Sequence, residues 1–445
     1  MTTMNTAQTQ VPLWQQLQAT ARVVSLVRQG QSTTSVLPTV DAGLRAGIQA
    51  LSFSVLRQLG RAEALRKLLA PKRPGEPTDA LLCTALALLC AAAEDASYEA
   101  HTLVNQAVEA AKKNSATRAQ AAFINACLRR FLREREALMG RAHGNPVARW
   151  NHPAWWITKL REDWPDHWDA ILKAAQQSPP LVLRVNIRKT TQRDYLQLLQ
   201  DAGFKAHAVG SYGISMVRSV PVSQLPNFSQ GWVSVQDAAA QMAAPLLVSA
   251  LVQTKRARVL DACAAPGGKT AHLLELADID VLALDIDAGR CQRIHDNLQR
   301  LGLNASVLAA DALAVKDWWD GQLFDAVLLD APCSAAGIVR RHPDIRWLRR
   351  KSDIQTLASL QQRLMRTLWQ LVRPGGAMLY STCSVFKAEG VEQLEAFLDN
   401  NKDVRLLASP GHLLPAWADP GAMVMDNGSR DQDGFYYALL QKAVQ

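Results

Sequence analysis

The sequence predicts a chain of several domains: an all-helical N-terminal domain, a small α+β linker domain, and a C-terminal α/β domain on a doubly wound, mostly parallel sheet. Three observations predict this. At 445 residues the chain is longer than one ordinary core supports. From about Pro12 to Gly144 it is rich in Ala, Leu, Arg and Gln, with apolar residues at helical spacing and little strand-like alternation. From Leu251 onward, short apolar runs alternate with helical segments, the pattern of crossover-connected parallel strands.

Composition narrows the function classes. Lys and Arg outnumber Asp and Glu by 49 to 40, for a formal charge of +9 and a pI near 9.3. That balance favours a polyanionic partner, the alternative being a generic basic surface. The seven cysteines form no C-x-x-C pair and no dense framework, so reduced thiols in a cytoplasmic protein are expected. Residues 1–11 are polar and uncharged and are read as a disordered tail, not a secretory leader. The apolar run Ala80 to Ala93 is too short to span a bilayer and reads as a buried bundle helix. No membrane, metal or obligatory protein partner is expected.

Residues 12–144 predict five to seven packed helices. In AAFINACLRRFLRERE (121–136), Phe123, Ile124, Cys127, Leu128 and Phe131 can share one face, with Arg129, Arg130, Arg133 and Arg135 largely opposite. A solvated basic face is the plain reading, and an RNA phosphate contact is the second. Residues 145–250 change texture. NHPAWWITKLREDWPDHW carries Trp155, Trp156, Trp164 and Trp168, and SPPLVLRVNIRK then reads as a strand leaving a Pro-Pro turn. Arg184, Arg188, Lys189 and Arg193 near that strand suit a nucleic-acid groove, while most of the tryptophans are expected in cores or interfaces. GWVSVQDAAAQMAAPLL (231–247) reads as a strand and a helix capped by Asp237.

Within 251–445, the predicted strands are 258–261, 281–285, 306–311, 324–330 and 377–381. The first four end in Asp261, Asp285, Asp311 and Asp330. In open α/β sheets ligands sit beyond the carboxyl ends of the strands, so these carboxylates stand where a ligand arrives. Helix capping is the alternative for each one singly. The first strand runs through Pro266-Gly267-Gly268 into a helix beginning near Lys269, a turn that suits a nucleotide-like ligand or merely a tight strand-to-helix connection. It lacks both the dinucleotide fingerprint and the phosphate-loop count. Asp285, 24 residues after Asp261, has the spacing of a ribose-binding carboxylate, and Asp311-Ala312 could meet an adenine amino group. With no lysine and hydroxyl geometry for a triphosphate, S-adenosylmethionine fits better than ATP.

Cys333 follows the fourth of these strands and Cys383 the fifth, 50 residues apart. One buried cysteine is ordinary packing, but two on ligand-facing loops of one sheet are not. No histidine accompanies them with zinc spacing. Methylating carbon 5 of a pyrimidine requires prior addition of a nucleophile at carbon 6, and a thiolate serves. The base must be flipped into the pocket and held by a polar group, for which Asp330 stands ready, and a second group must assist release.

DACAAPGGKT, ALDID, DAPCS, RRHPDIRWLRR, STCSVFKAEG and DGFYYALL resemble the successive motifs of the RNA cytosine-C5 methyltransferases. VNQAVEAAKK and AAFINACLRRFLRERE resemble the NusB family of helical RNA-binding domains, so the whole is similar to the branch that methylates 16S ribosomal RNA. The resemblance implies a NusB-like domain over 12–144, a linker and small α+β domain over 145–250, and a Rossmann-like methyltransferase domain over 251–445. It implies S-adenosyl-L-methionine as cofactor, Cys383 as nucleophile, Cys333 as the residue that helps release product, and cytosine 967 as target. Cofactor contacts map onto Cys263, Ala264, Ala265, Pro266, Gly267, Gly268, Lys269, Asp285, Asp311 and Asp330. Two departures stand out: Ser334-Ala335-Ala336-Gly337 where the family usually has Ser-Gly-Thr-Gly, and Glu389-Gly390 where it usually has Glu-Asn.

Arg340, Arg341, His342 and Arg346, continuing into Arg349, Arg350 and Lys351, are the densest basic run. Following the Cys333 loop, they are expected to grip RNA phosphates, together with Arg129, Arg130 and Arg184. Two other readings are weighed. A non-catalytic RNA-binding or ribosome assembly factor would not need both thiols, and an amino-group methyltransferase would carry an Asp/Asn-Pro-Pro-aromatic loop where Asp330-Ala-Pro-Cys333 stands.

Overall fold

The computed structural model describes residues 11–90, 98–251, 256–415 and 431–444, so nearly all of the expected tail and the last residues of the 80–93 run lie outside the description. The chain divides into two compact units, 1–159 with 339–349, and 160–338 with 350–445.

The first unit is helical. Among the described residues, seven helices of nine residues or more run between Leu13 and His143. Glu76–Cys90 is buried at twelve of fifteen positions and forms the centre, as an all-round apolar helix must. Leu17, Val24, Ile48, Val55, Leu82, Leu86, Ala107, Ile124, Leu128 and Phe131 share the core. The buried Asp79 of that central helix is held by Arg66 at 2.9 Å, Arg28 at 3.0 Å and Arg73 at 3.3 Å. The segment Val339–Arg349 belongs to this unit too. The Trp347 indole donates to the Leu56 carbonyl at 2.8 Å, and Asp344 Oδ2 accepts from the Thr33 amide at 2.8 Å.

The second unit holds two sheets. The smaller has β1 (Val182–Val185), β2 (Ala206–Val209), β3 (Gly213–Met216) and β4 (Val233–Val235), ordered β2-β3-β1-β4 with every pairing antiparallel. Helix Gln192–Asp201, capped by the Thr191 side chain, accompanies it. Asp237 accepts from the Ala239 amide at 2.9 Å, one turn ahead of helix Ala243–Ser249.

The larger sheet contains β5 (Ala257–Ala262), β6 (Ile279–Asp285), β7 (Ser306–Ala309), β8 (Phe324–Asp330), β9 (Val372–Thr382), β10 (Val404–Leu413) and β11 (Phe435–Lys442). Its order is β10-β11-β9-β8-β5-β6-β7, parallel from β9 to β7 and antiparallel at β11 and β10. Alternate residues cover opposite faces, with Val259, Ala283, Leu328 and Leu379 on one and Leu260, Leu284, Val327 and Met378 on the other. From β5 the chain moves outward to β6 and β7, then returns to the other side of β5 as β8. The topological switch therefore lies between β5 and β8, where a ligand is expected. Among the described residues no helix is long and apolar enough to cross a membrane.

Candidate active site

The β5 loop is built by exact backbone demands. Asp261 is fully buried one residue before the end of β5, and the Thr270 hydroxyl donates to its Oδ2 at 2.5 Å. Its Oδ1 is buried with no hydrogen-bond partner among the described residues, and burial pushes the carboxyl from 3.8 up to about 7. Cys263 turns left-handed at φ +63°. Gly267 does so at φ +90°, where a Cβ would come within 3.0 Å of Ile294 Cγ2, so only glycine fits. Helix Gly268–Leu276 starts there. The loop is pinned to β6, with the Ala264 amide donating to the Leu284 carbonyl at 2.8 Å and the Ala265 amide to Asp285 Oδ2 at 3.1 Å. Arg290 bridges the Ala265 carbonyl at 3.0 Å and Asp285 at 3.4 Å. Burial, reinforced by Asp330, Asp285 and Asp261, pushes the Cys263 thiol up to about 12, which keeps it protonated and unsuited to act as a nucleophile. Asp311 departs from expectation. Strand β7 stops at Ala309, and the exposed Asp311 caps a turn by accepting from the Leu313 amide at 2.9 Å.

Across the switch point, Lys269 Nζ donates to Asp330 Oδ2 at 2.6 Å, and Ser381 Oγ to Asp330 Oδ1 at 3.0 Å. Burial works against the Lys269 charge, but Asp330 outweighs it and the ammonium is favoured. Register then sets the thiols. Asp330 of β8 pairs with Ser381 of β9, so the residues just beyond each end together, and Cys333 Sγ lies 3.4 Å from Cys383 Sγ. Cys333 is 9% exposed, and its hydrogen bond with Cys383 and its burial hold its thiol well above the ordinary range.

Behind the pair lies a residue that sequence reading passed over. Glu389 is wholly buried, and its carboxylate accepts from Ser334 N at 2.8 Å, Ser334 Oγ at 2.5 Å, Ser384 Oγ at 2.6 Å and Gln361 Nε2 at 3.3 Å. One of the two departures acquires a physical reason here: Gly390 has no room for a Cβ because the His412 ring occupies that space. Ala335 stands at φ +59°, a conformation that favours the glycine usual in the family, and nothing in the structure explains its alanine.

The expected RNA-contacting arginines divide. Arg129 is exposed on helix Ala121–Arg133, donating to Asn125 Oδ1 at 3.0 Å, and the half-buried Arg130 pairs with Glu134 at 3.0 Å. Arg184 instead is 0% exposed. It pairs with Glu275 at 2.8 Å and donates to Gln236 Oε1 and, at 2.7 Å, to the Gly268 carbonyl, so it cannot reach a phosphate and braces the cofactor-loop helix. Arg340 and Arg346 are likewise buried, at 1% and 0%. Arg346 donates to the Val339 carbonyl at 3.2 Å and the Asn151 carbonyl at 3.4 Å, and the Arg340 carbonyl accepts from Arg57 at 2.7 Å. The phosphate-gripping role expected of Arg184, Arg340 and Arg346 is therefore corrected to packing. Arg341 and His342 stay partly exposed. Of the tryptophans, Trp156 is buried, Trp155 packs against it in a tilted pair with ring centroids 5.2 Å apart, and Trp164 donates to the Val385 carbonyl at 2.8 Å. A cavity of about 630 Å³ in the helical unit, lined by side chains such as Leu26, Val36, Leu44 and Leu81, holds none of the expected site residues. Among the described residues no cluster of His, Cys, Asp or Glu could hold a metal ion.

Three family profiles match in succession: NusB over residues 17–133, a ferredoxin-like domain of RsmF/B-like methyltransferases over 152–223, and the 16S rRNA methyltransferase RsmB/F over 248–441. The chain is 39% identical over 434 residues to ribosomal RNA small subunit methyltransferase B of Vibrio cholerae, covering 95% of this chain and 96% of that one. It is 40% identical over 442 residues to the protein of the same name from Pseudomonas syringae, covering 95% and 96%. The crystal structure of a protein designated PH0851 superposes with a TM-score of 0.72 at 22% identity, over 96% of this chain and 99% of that one, a likeness of fold.

Proposed function

The chain belongs to the 16S rRNA methyltransferase RsmB/F family, and on that premise we propose that it methylates carbon 5 of a cytosine in 16S ribosomal RNA through a covalent adduct on Cys383. The target implied by the resemblance is cytosine 967. The observation that carries the proposal is the thiol pair, 3.4 Å apart beside Asp330 at the switch point of the sheet.

S-adenosyl-L-methionine, when bound, supplies an electrophilic methyl group on a sulfonium. The residues fit such a cofactor. Asp285 ends β6 facing the Cys263–Lys269 loop, as a ribose-binding carboxylate should, and Ile286 beside it is 71% exposed, an apolar surface that suits a purine face. Gly268, whose Cβ position meets nothing nearer than Gln236 Nε2 at 3.7 Å, and the helix that starts there offer backbone room for the methionine end.

The thiolate of Cys383 adds to carbon 6 of the flipped base, breaking the carbon 5 to carbon 6 double bond and moving its electron pair onto carbon 5. That carbon would take the methyl group as the sulfonium carbon–sulfur bond breaks and its electron pair stays on the cofactor sulfur, which becomes a neutral thioether. Loss of the carbon 5 proton then re-forms the double bond and expels the Cys383 sulfur. Asp330, fixed by Lys269 and Ser381, can hold the base edge during these steps. Cys333 keeps its proton by burial and its bond to Cys383, and from 3.4 Å its S–H can hydrogen-bond the departing sulfur.

Transfer of labelled methyl from cofactor to purified 16S RNA tests the reading. Wild-type chain should transfer it, Cys383→Ala should not, and Cys333→Ala should accumulate a protein–RNA adduct visible as a slow band on a denaturing gel. Full activity in Cys383→Ala would remove the mechanism, and bisulfite sequencing of RNA from a deletion strain would identify the base. A chain that binds RNA without transferring methyl would be an assembly factor instead.

A further inference from the structure

The two thiols sit on different loops, yet the residue after each is bound to one carboxylate. Oε1 of Glu389 accepts from the Ser334 amide at 2.8 Å, while Oε2 accepts from Ser334 Oγ at 2.5 Å and Ser384 Oγ at 2.6 Å. The two hydroxyls are 3.2 Å apart, and each also accepts from its own loop, Ser334 Oγ from the Ala336 amide at 3.2 Å and Ser384 Oγ from the Phe386 amide at 3.1 Å. The clamp is itself anchored. The Glu389 carbonyl accepts from Tyr380 Oη at 2.9 Å and Thr382 Oγ1 at 3.1 Å, both on the interior strand β9.

We propose that Glu389 is the positioning residue of the thiol pair: its buried carboxylate, bound to the residue after each cysteine, fixes the separation and orientation of Cys333 and Cys383. The inference deepens the cytosine-C5 reading and rests on it. Glu389 acts on the two cysteines through Ser334 and Ser384. A carboxylate suits this place because it accepts three hydrogen bonds from the two loops without donating any, which a neutral amide cannot do. Its charge also works against a thiolate on Cys333, in the same direction as burial.

The test uses the full chain and 16S RNA. Glu389→Gln keeps the shape and removes the charge, and should lower kcat about 10²-fold while leaving KM for the cofactor within about twofold, since a small misplacement of reacting groups has that cost. Ser334→Ala with Ser384→Ala should reproduce the loss, and adding Glu389→Gln to that pair should cost no more than about threefold further, because all three act as one unit. A second readout is independent of turnover. Mass spectrometry after limited iodoacetamide treatment should find alkylation concentrated on Cys383 in the wild type and shifted toward Cys333 in Glu389→Gln, with the core residue Cys83 unlabelled in both. An unchanged labelling ratio, a kcat within about threefold of wild type, or labelling of Cys83 would overturn the positioning role. If instead the wild type transfers no methyl, or Cys383→Ala is fully active, the cytosine-C5 reading fails, and the labelling ratio still reports on Glu389.

Discussion

The arginines at 129–135 and those at 340–350 look alike in the sequence, each a dense basic run beside apolar residues, yet the first run buries none of its arginines while the second buries two of its members, Arg340 and Arg346. The first run alternates with Ile124, Cys127, Leu128 and Phe131 at helical spacing, so the core takes the apolar face and leaves Arg129 in solvent. The second lies largely outside long helices, in a segment with one four-residue helix, and there Arg340 and Arg346 point inward and bury. Periodicity assigns a face to each side chain, and where it is missing, charge density says nothing about exposure. Arg184 belongs with the second run, since strand β1 is buried at all four positions and the guanidinium must find its partners inside.

Four measurements can break or sharpen this contrast. The largest effect should come from Arg184→Ala, which strands Glu275 as a buried, unpaired carboxylate. A loss of about 3–5 kcal/mol is expected in denaturant unfolding of the second unit, with Glu275→Gln in the same background recovering part of it.

The acidic side offers the same contrast in Asp261, buried, against Asp311, exposed. The folded-state pKa of Asp261 is about 7, above its ordinary 3.8, so its contribution favours the native state fully below 3.8 and is lost as pH rises through 7. Asp261→Asn has no such dependence. Its stability relative to wild type should improve between pH 4 and 8, by no more than about 4 kcal/mol.

Arg346→Ala should cost about 2–4 kcal/mol by leaving a cavity and two carbonyls without their donor. Arg346→Met, which fills the space, should cost less, because burial and neighbouring Arg57 disfavour the charge and push its pKa down to about 9. In both variants the salt dependence of RNA binding should be unchanged. The smallest stability effect belongs to Arg129→Ala, within about 0.5 kcal/mol. If Arg129 meets a phosphate, that variant should instead flatten the log–log salt slope of RNA binding by about one, and an unchanged slope would make it a solvated residue only.

Much of the site was legible because its residues sit at strand ends, where topology alone decides position. Asp261, Asp285 and Asp330 fall at or next to the ends of β5, β6 and β8, and the pairing of β8 with β9 brings Cys333 to Cys383. The end of β7 was placed two residues too far, at Asp311, because the apolar run 307–310 outlasts the hydrogen-bonded strand, which ends at Ala309. Glu389 gave no sequence signal beyond its place in a motif, since an acidic residue before a helix is ordinarily a cap. Its role exists only once Ser334 is brought alongside from 55 residues away. The burial of Arg184 depended in the same way on Glu275, 91 residues on.

That last pair bears on how the protein can be cut. The methyltransferase profile begins at residue 248, yet the helix that opens its first crossover leans on a guanidinium from residue 184 through Glu275 and the Gly268 carbonyl. A fragment cut at 248 would keep the carboxylate and lose its counter-ion. The stretch that the profile recognises and the stretch that keeps its buried charge paired are here two different lengths of chain, and an excised methyltransferase domain should be engineered to begin before β1.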